Sequence, residues 1–179
     1  MRYYLLKTPD IFNGEIEILH FHEQLDYRLF SGDRMHEMPS KVVLQIRHKG
    51  RMEYPPILLE PLPLFNKMVW TSIQSFMKKP LHTHFILLDE KTKSSYHYFC
   101  PAFRRVKGRL DHSVKQGDIK EIKIHLEEKF PEDLSVWYLD DGEEIQVLMG
   151  LDLLECLMRK DLCDIRLLPV QIVEEQVNG

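Results

Sequence analysis

Residues 134–160 read LSVWYLDDGEEIQVLMGLDLLECLMRK, and the order of elements in that stretch decides the fold class. VWYL and IQVLM are short apolar runs, and Asp140-Asp141-Gly142 between them is a turn signal, so the first half reads strand, turn, strand. The period then changes. Leu151, Leu154, Leu157 and Met158 share one side of a helix of about three turns. The stretch that follows, CDIRLLPVQIVEE, reads as a closing strand.

Working back toward the N-terminus, IKEIKIHLEEKF alternates Ile122, Ile124 and Leu126 with charge and reads as another strand. RRVKGRLDHSVKQGD, just before it, is polar and rich in turn residues. LHTHFILLDE and SSYHYFCPAF flank KTKS and predict a hairpin. LPLFNKMVWTSIQSFMKKP predicts the first long helix, with Phe65, Met68, Val69, Ile73 and Phe76 on one stripe, Pro63 at its start and Pro80 forbidding continuation. YPPILLEPLP has four prolines, which suit an extended connection and no central strand. KVVLQIRH alternates Val42, Leu44 and Ile46 against Val43, Gln45 and Arg47. GEIEILHFH and RYYLLK complete the set of strands.

The order strands, helix, strands, helix, strand predicts an α+β fold, a mostly antiparallel sheet with two principal helices packed on it. All 179 residues fit one domain. A chain of this length buries roughly 70% of its unfolded surface and needs neither metal nor disulfide to fold. The content, 44% hydrophobic and 29% charged with a net charge of −4, is that of an ordinary globular protein. Cys100, Cys156 and Cys163 are odd in number and lie among apolar neighbours, which predicts small buried side chains in a reducing compartment. MRYYLLKTPD is too short for a signal peptide, and no apolar run spans a membrane. A cytoplasmic protein with no membrane partner is the expectation.

Two His-x-His pairs, His20 with His22 and His82 with His84, raise the question of a metal. On a strand each pair would point to one face, and two such strands side by side would offer four nitrogens to a metal-dependent enzyme. Against this, neither stretch has a glycine-rich framework, there is no His-Glu-x-x-His, and nine histidines make two such pairs unsurprising. Imidazoles on sheet faces are the simpler reading, with no cofactor. Asp111-His112-Ser113 has the composition of a triad, but three adjacent residues cannot converge on one another. No nucleophile motif, phosphate-cradling loop or paired carboxylates stand out, so a non-enzymatic protein is expected.

Charge is unevenly spread. Arg104, Arg105, Lys107 and Arg109 form a short basic run, too short in an acidic chain to predict nucleic-acid binding. Glu127, Glu128, Glu132, Asp133, Asp140, Asp141, Glu143 and Glu144 form an acidic stretch that would steer a basic partner. Trp137 and Tyr138 beside Asp140, Asp141, Glu143 and Glu144 would make an aromatic anchor with a charged rim, or else belong to a core strand.

The opening YYLL (Tyr3, Tyr4, Leu5, Leu6), the central helix leading to a strand, Leu110-Asp111 followed by Ser113, and a terminal helix-strand unit ending in Pro169-Val170 together resemble bacterial immunity proteins of polymorphic toxin systems, long filed as a domain of unknown function. The chain departs from that family in having Trp137 and Tyr138 where a Phe-Arg is common, and no glycine in DLCD before the last strand. The resemblance implies a protein that binds a cognate toxin and neutralises it, with no shared active site.

Overall fold

The computed structural model describes residues 2–9, 16–26, 29, 32–49, 54–78, 80–114, 120–130, 134–142, 144–162 and 165–174. Among them the strands are β1 (Tyr3–Lys7), β2 (Ile16–Ile18), β3 (Lys41–His48), β4 (Ile57–Leu58), β5 (Leu64–Asn66), β6 (His82–Asp89), β7 (Ser94–Pro101), β8 (Arg105–Val114), β9 (Lys120–Leu126), β10 (Val136–Asp140), β11 (Ile145–Gly150) and β12 (Arg166–Glu174). The helices are α1 (Phe21–Gln24), α2 (Lys67–Gln74) and α3 (Leu151–Met158), with a 3-10 segment at Gly32–Glu37.

Two sheets share these strands. One is a closed barrel in the order β1-β11-β10-β8-β9-β12; the other is a six-stranded sheet in the order β2-β3-β6-β7-β5-β4. The chain enters the barrel with β1, leaves to build the whole second sheet, and returns at β8. β1 closes the barrel by pairing on both edges, Tyr3 lying opposite Gly150 on β11 and Val170 on β12. Most pairings are antiparallel, but β10 with β8, β12 with β9, and β3 with β6 run parallel. The fold is sheet-rich with few helices, compatible with the α+β class. It has two sheets, one of them a closed barrel, in place of the single one expected. The two helices expected to be principal are short, at eight residues each.

Alternation explains the layers. Tyr3, Leu5, Trp137, Leu139 and Leu148 point into the barrel with Val106, Ile122, Ile124 and Leu126 and fill it. Their neighbours Leu6, Val136, Tyr138, Val147 and Met149 point outward into a second core with α2 and α3. β10 is thus apolar on both faces because both are covered. The third core lies on one face of the second sheet, where Val42, Leu44, Ile46, Phe85, Leu87 and Tyr98 pack against Phe21, Leu25 and Met38.

Several expectations need correction. RVKGRLDHSV is not a turn-rich connection but the whole of β8, a ten-residue strand. Its alternation is hidden by Gly108, where an added Cβ would come 2.7 Å from the His125 carbonyl oxygen, so glycine lets β8 and β9 approach. The first helix begins at an Asn66 cap, whose side-chain oxygen accepts from Val69 N at 2.9 Å, and Phe65 lies in the preceding strand. Its buried stripe is Val69, Trp70 and Ile73, while Met68 and Phe76 are exposed. α3 runs eight residues and buries Leu153, Leu154 and Leu157, leaving Met158 in solvent. Within GEIEILHFH, Ile16–Ile18 form a three-residue strand followed by a turn and α1, and Gly14 and Glu15 lie outside the described residues. Among the described residues no helix is long and apolar enough to cross a membrane.

Candidate functional site: the uncovered face of the second sheet

The second sheet buries one side fully, while its other side mixes apolar and polar residues and is covered only in part. α2 packs on β5 and β7 and buries Phe65 at that end of the outer face. Among the described residues nothing else covers this face, and Val43 and Leu88 are exposed on it. Register fixes what it displays: Lys41, His84 and Phe99 lie in one row across β3, β6 and β7, and Val43, Ile86 and His97 in the next. Gln45, Leu88 and Ser95 form a third row. Val43 is 48% exposed and Leu88 38%, while Ile86 and Phe99 are half-buried. The row members on this face are apolar at the centre and polar at the margin, where Arg47 meets Glu17 at 3.6 Å.

The imidazoles on this face are ordered by rings. His84 stacks on Phe99 with planes 11° apart and centroids 5.0 Å apart. Its Nε2 lies 2.9 Å from Nδ1 of His97 on the next strand. Burial, then the neighbouring His97, Lys41 and His82, holds the His84 pKa below its ordinary value of 6.5. His82 points to the same side and rests its ring against Trp70 and Phe99.

The four histidines singled out in the sequence do not gather. His82 and His84 share a face of β6, as the strand reading requires, but His20 sits in the left-handed turn before α1 and His22 within α1. His20 instead lies 3.2 Å from Glu23. Among the described residues no three of His, Cys, Asp and Glu come together in a way that could hold a metal ion.

The aromatic anchor is corrected as well. Trp137 is 0% exposed and Tyr138 1%, so neither presents a surface to a partner. Trp137 fills the barrel between Tyr3 and Phe130, and Tyr138 donates from its hydroxyl to the Pro101 carbonyl at 2.9 Å on the other side of the strand. The adjoining carboxylates are built into the hairpin. Asp140 receives Arg105 at 3.3 Å and the Gly142 N–H at 3.1 Å, and Asp141 accepts from Glu144 N at 2.8 Å. Glu144 accepts from Gln146, which accepts from Lys7. Glu143, Glu132, Asp133 and Cys163 lie outside the described residues.

The basic run is divided by its strand. Arg105, with a side chain 9% exposed, turns inward to Asp140, while Arg104, Lys107 and Arg109 are exposed. Cys100 is buried and burial pushes its thiol up to about 12, so it is an inert core side chain; Cys156 is half-buried.

No protein-family model, curated protein or solved structure matches this chain.

Val43, Ile86, Leu88, His97 and Phe99 were not distinguished by sequence reasoning. The signal was present in KVVLQ and HFILLD, where adjacent apolar residues put hydrophobic side chains on both faces of a strand. Pattern alone does not say which of the two faces remains uncovered.

Proposed function

We propose that this chain is a non-enzymatic binding protein, an immunity protein that captures a cognate bacterial toxin, and that the open face of the second sheet is its contact surface. The observation that carries the reading is the apolar centre made by Val43, Ile86 and Leu88 on paired strands, beside the His84–Phe99 stack. A contiguous apolar patch rimmed by polar groups is the usual mark of a protein contact. Strands hold it rigid, so little ordering cost is added on binding. Lys41 at the margin favours a partner whose own rim is acidic, Arg47 being paired with Glu17. This differs from the basic partner that the acidic loop suggests, because Asp140, Asp141 and Glu144 already accept from their own hairpin and, for Asp140, from Arg105 on β8.

The test is growth of cells expressing the toxic product of the neighbouring reading frame, with and without this protein. Wild type restores growth. Val43→Glu combined with Leu88→Glu, at two exposed positions, leaves folding intact and abolishes rescue, since losing a buried anchor costs at least about 2 kcal/mol, or roughly thirtyfold in affinity. Rescue by the double variant would remove this face from the reading. Failure of wild type against a demonstrably toxic neighbour would remove the immunity role itself.

A further inference from the structure

The β6–β7 hairpin places His84 opposite Phe99 and Ile86 opposite His97, so the two histidines are diagonal neighbours on one face. Their rings lie edge to edge, with planes 28° apart, centroids 5.1 Å apart and facing nitrogens only 2.9 Å apart. One nitrogen of each ring therefore points at a common position, which the neutral pair fills with a single proton. We propose that His84 and His97 form a cross-strand bis-imidazole site for a divalent transition metal, copper(II) foremost, with water completing the coordination.

The distances suit that exchange. Two nitrogens each about 2.05 Å from an ion and about 90° apart lie about 2.9 Å from one another, the chelate spacing of a tetragonal copper(II) or nickel(II) site. A tetrahedral zinc needs a slightly wider separation, roughly 3.3 Å. Each lone pair lies near the line between the two nitrogens, so ion binding turns each ring by roughly 45°, and the exposed side of His97 leaves room for its turn. The parallel Phe99 ring favours a turn of His84 within its own plane, and the paired strands fix both backbones. Copper(II) leads the order of affinity among first-row divalent ions. Lys41, opposite His84 on β3, is a like charge, but it is exposed and screened by water. The site does not require that this face also bind a protein.

Copper(II) sulfate titrated into the full chain tests it, followed by equilibrium binding and electron paramagnetic resonance. The expected result is one tight equivalent with nitrogen hyperfine structure from two imidazoles. His84→Gln and His97→Gln each weaken binding by more than about tenfold, the low end of what even outer ligand partners contribute. Replacing His20 and His22 together, an exposed pair elsewhere, leaves that equivalent unchanged. A measurement on the wild type removes any dependence on the variants' folding: substoichiometric copper(II), which is paramagnetic, broadens the imidazole resonances of His84 and His97 before those of the other histidines. Unaltered copper affinity in both single variants, loss that follows His20 and His22, or copper broadening that begins at other histidines would overturn the proposal.

Discussion

At the scale of single residues, the second sheet carries a buried charge with its own partners. Asp89 closes β6 at 2% exposure. One of its oxygens accepts from the Tyr54 hydroxyl at 2.9 Å, and the other from the N–H groups of Lys91 at 2.9 Å and Thr92 at 3.4 Å. Tyr54 itself lies in a stack of rings between His48 and Tyr96. Burial pushes the Asp89 pKa up, but the hydrogen bonds from Tyr54, Thr92 and Lys91 together outweigh it and hold the carboxyl below 3.8. Tyr54 shifts the opposite way, raised first by burial and then by Asp89. The folded protein thus binds fewer protons at Asp89 than the unfolded chain does in acid. The stability this group contributes is complete above pH 3.8 and is lost as pH falls through the folded value. Tyr54→Phe removes one donor, moves the Asp89 pKa upward and flattens that acid-side loss. Urea midpoints at pH 7, 5 and 3 check it, and equal slopes for wild type and variant would contradict it. Neither residue was legible as a pair. They are thirty-five positions apart and meet only because Tyr54 is laid across the end of the β6–β7 hairpin.

Elements were legible where period and punctuation agreed. KVVLQIRH became β3 with its inner side chains buried in strict alternation, and the hairpin around KTKS formed with Lys93 in a left-handed turn. β8 was missed because Gly108, Arg105 and Lys107 suggest a loop, whereas in the barrel glycine admits a close strand and Arg105, on the barrel's outer side, is buried against Asp140. The end of α3 shows a similar substitution of means. DLCD has no glycine, yet the helix stops with Asp161 at φ 53°, and Leu162 N–H returns to the Leu157 carbonyl at 3.0 Å. That is the bond that closes a helix when a left-handed residue follows its last turn, a place where glycine is the least strained choice. Asp161→Gly therefore stabilises the protein by about 0.5–1 kcal/mol, since it removes the left-handed strain. A urea midpoint that stays put or falls would show that the Asp161 side chain contributes more than its backbone strain costs.

At the scale of the whole molecule, the sequence order conceals that one sheet is inserted into another. Every strand from β2 to β7 lies between two consecutive strands of the barrel's own path, and a linear pass sees only strands in succession. What unites the halves is a shared core. Phe65, Val69, Trp70 and Ile73 from the inserted part pack with Leu6, Val136, Tyr138, Met149 and the leucines of α3. Tyr138 also reaches across to the Pro101 carbonyl, and Lys160 after α3 donates to Ser72 on α2 at 3.0 Å. Neither part can lose its structure without exposing the apolar surface of the other, at about 25 cal/mol for each Å² uncovered. The two halves are therefore expected to unfold together. The two tryptophans make this measurable, because Trp70 lies in the shared core and Trp137 inside the barrel. Trp137→Phe leaves only Trp70 to report, and Trp70→Phe leaves only Trp137. For each variant the urea transition followed by fluorescence should coincide with the one followed by circular dichroism, whatever the cost of the substitution to the midpoint itself. A Trp137 signal that persists after the dichroism of the inserted sheet is lost would mean that the barrel holds its structure alone and that the shared core only joins two independent units.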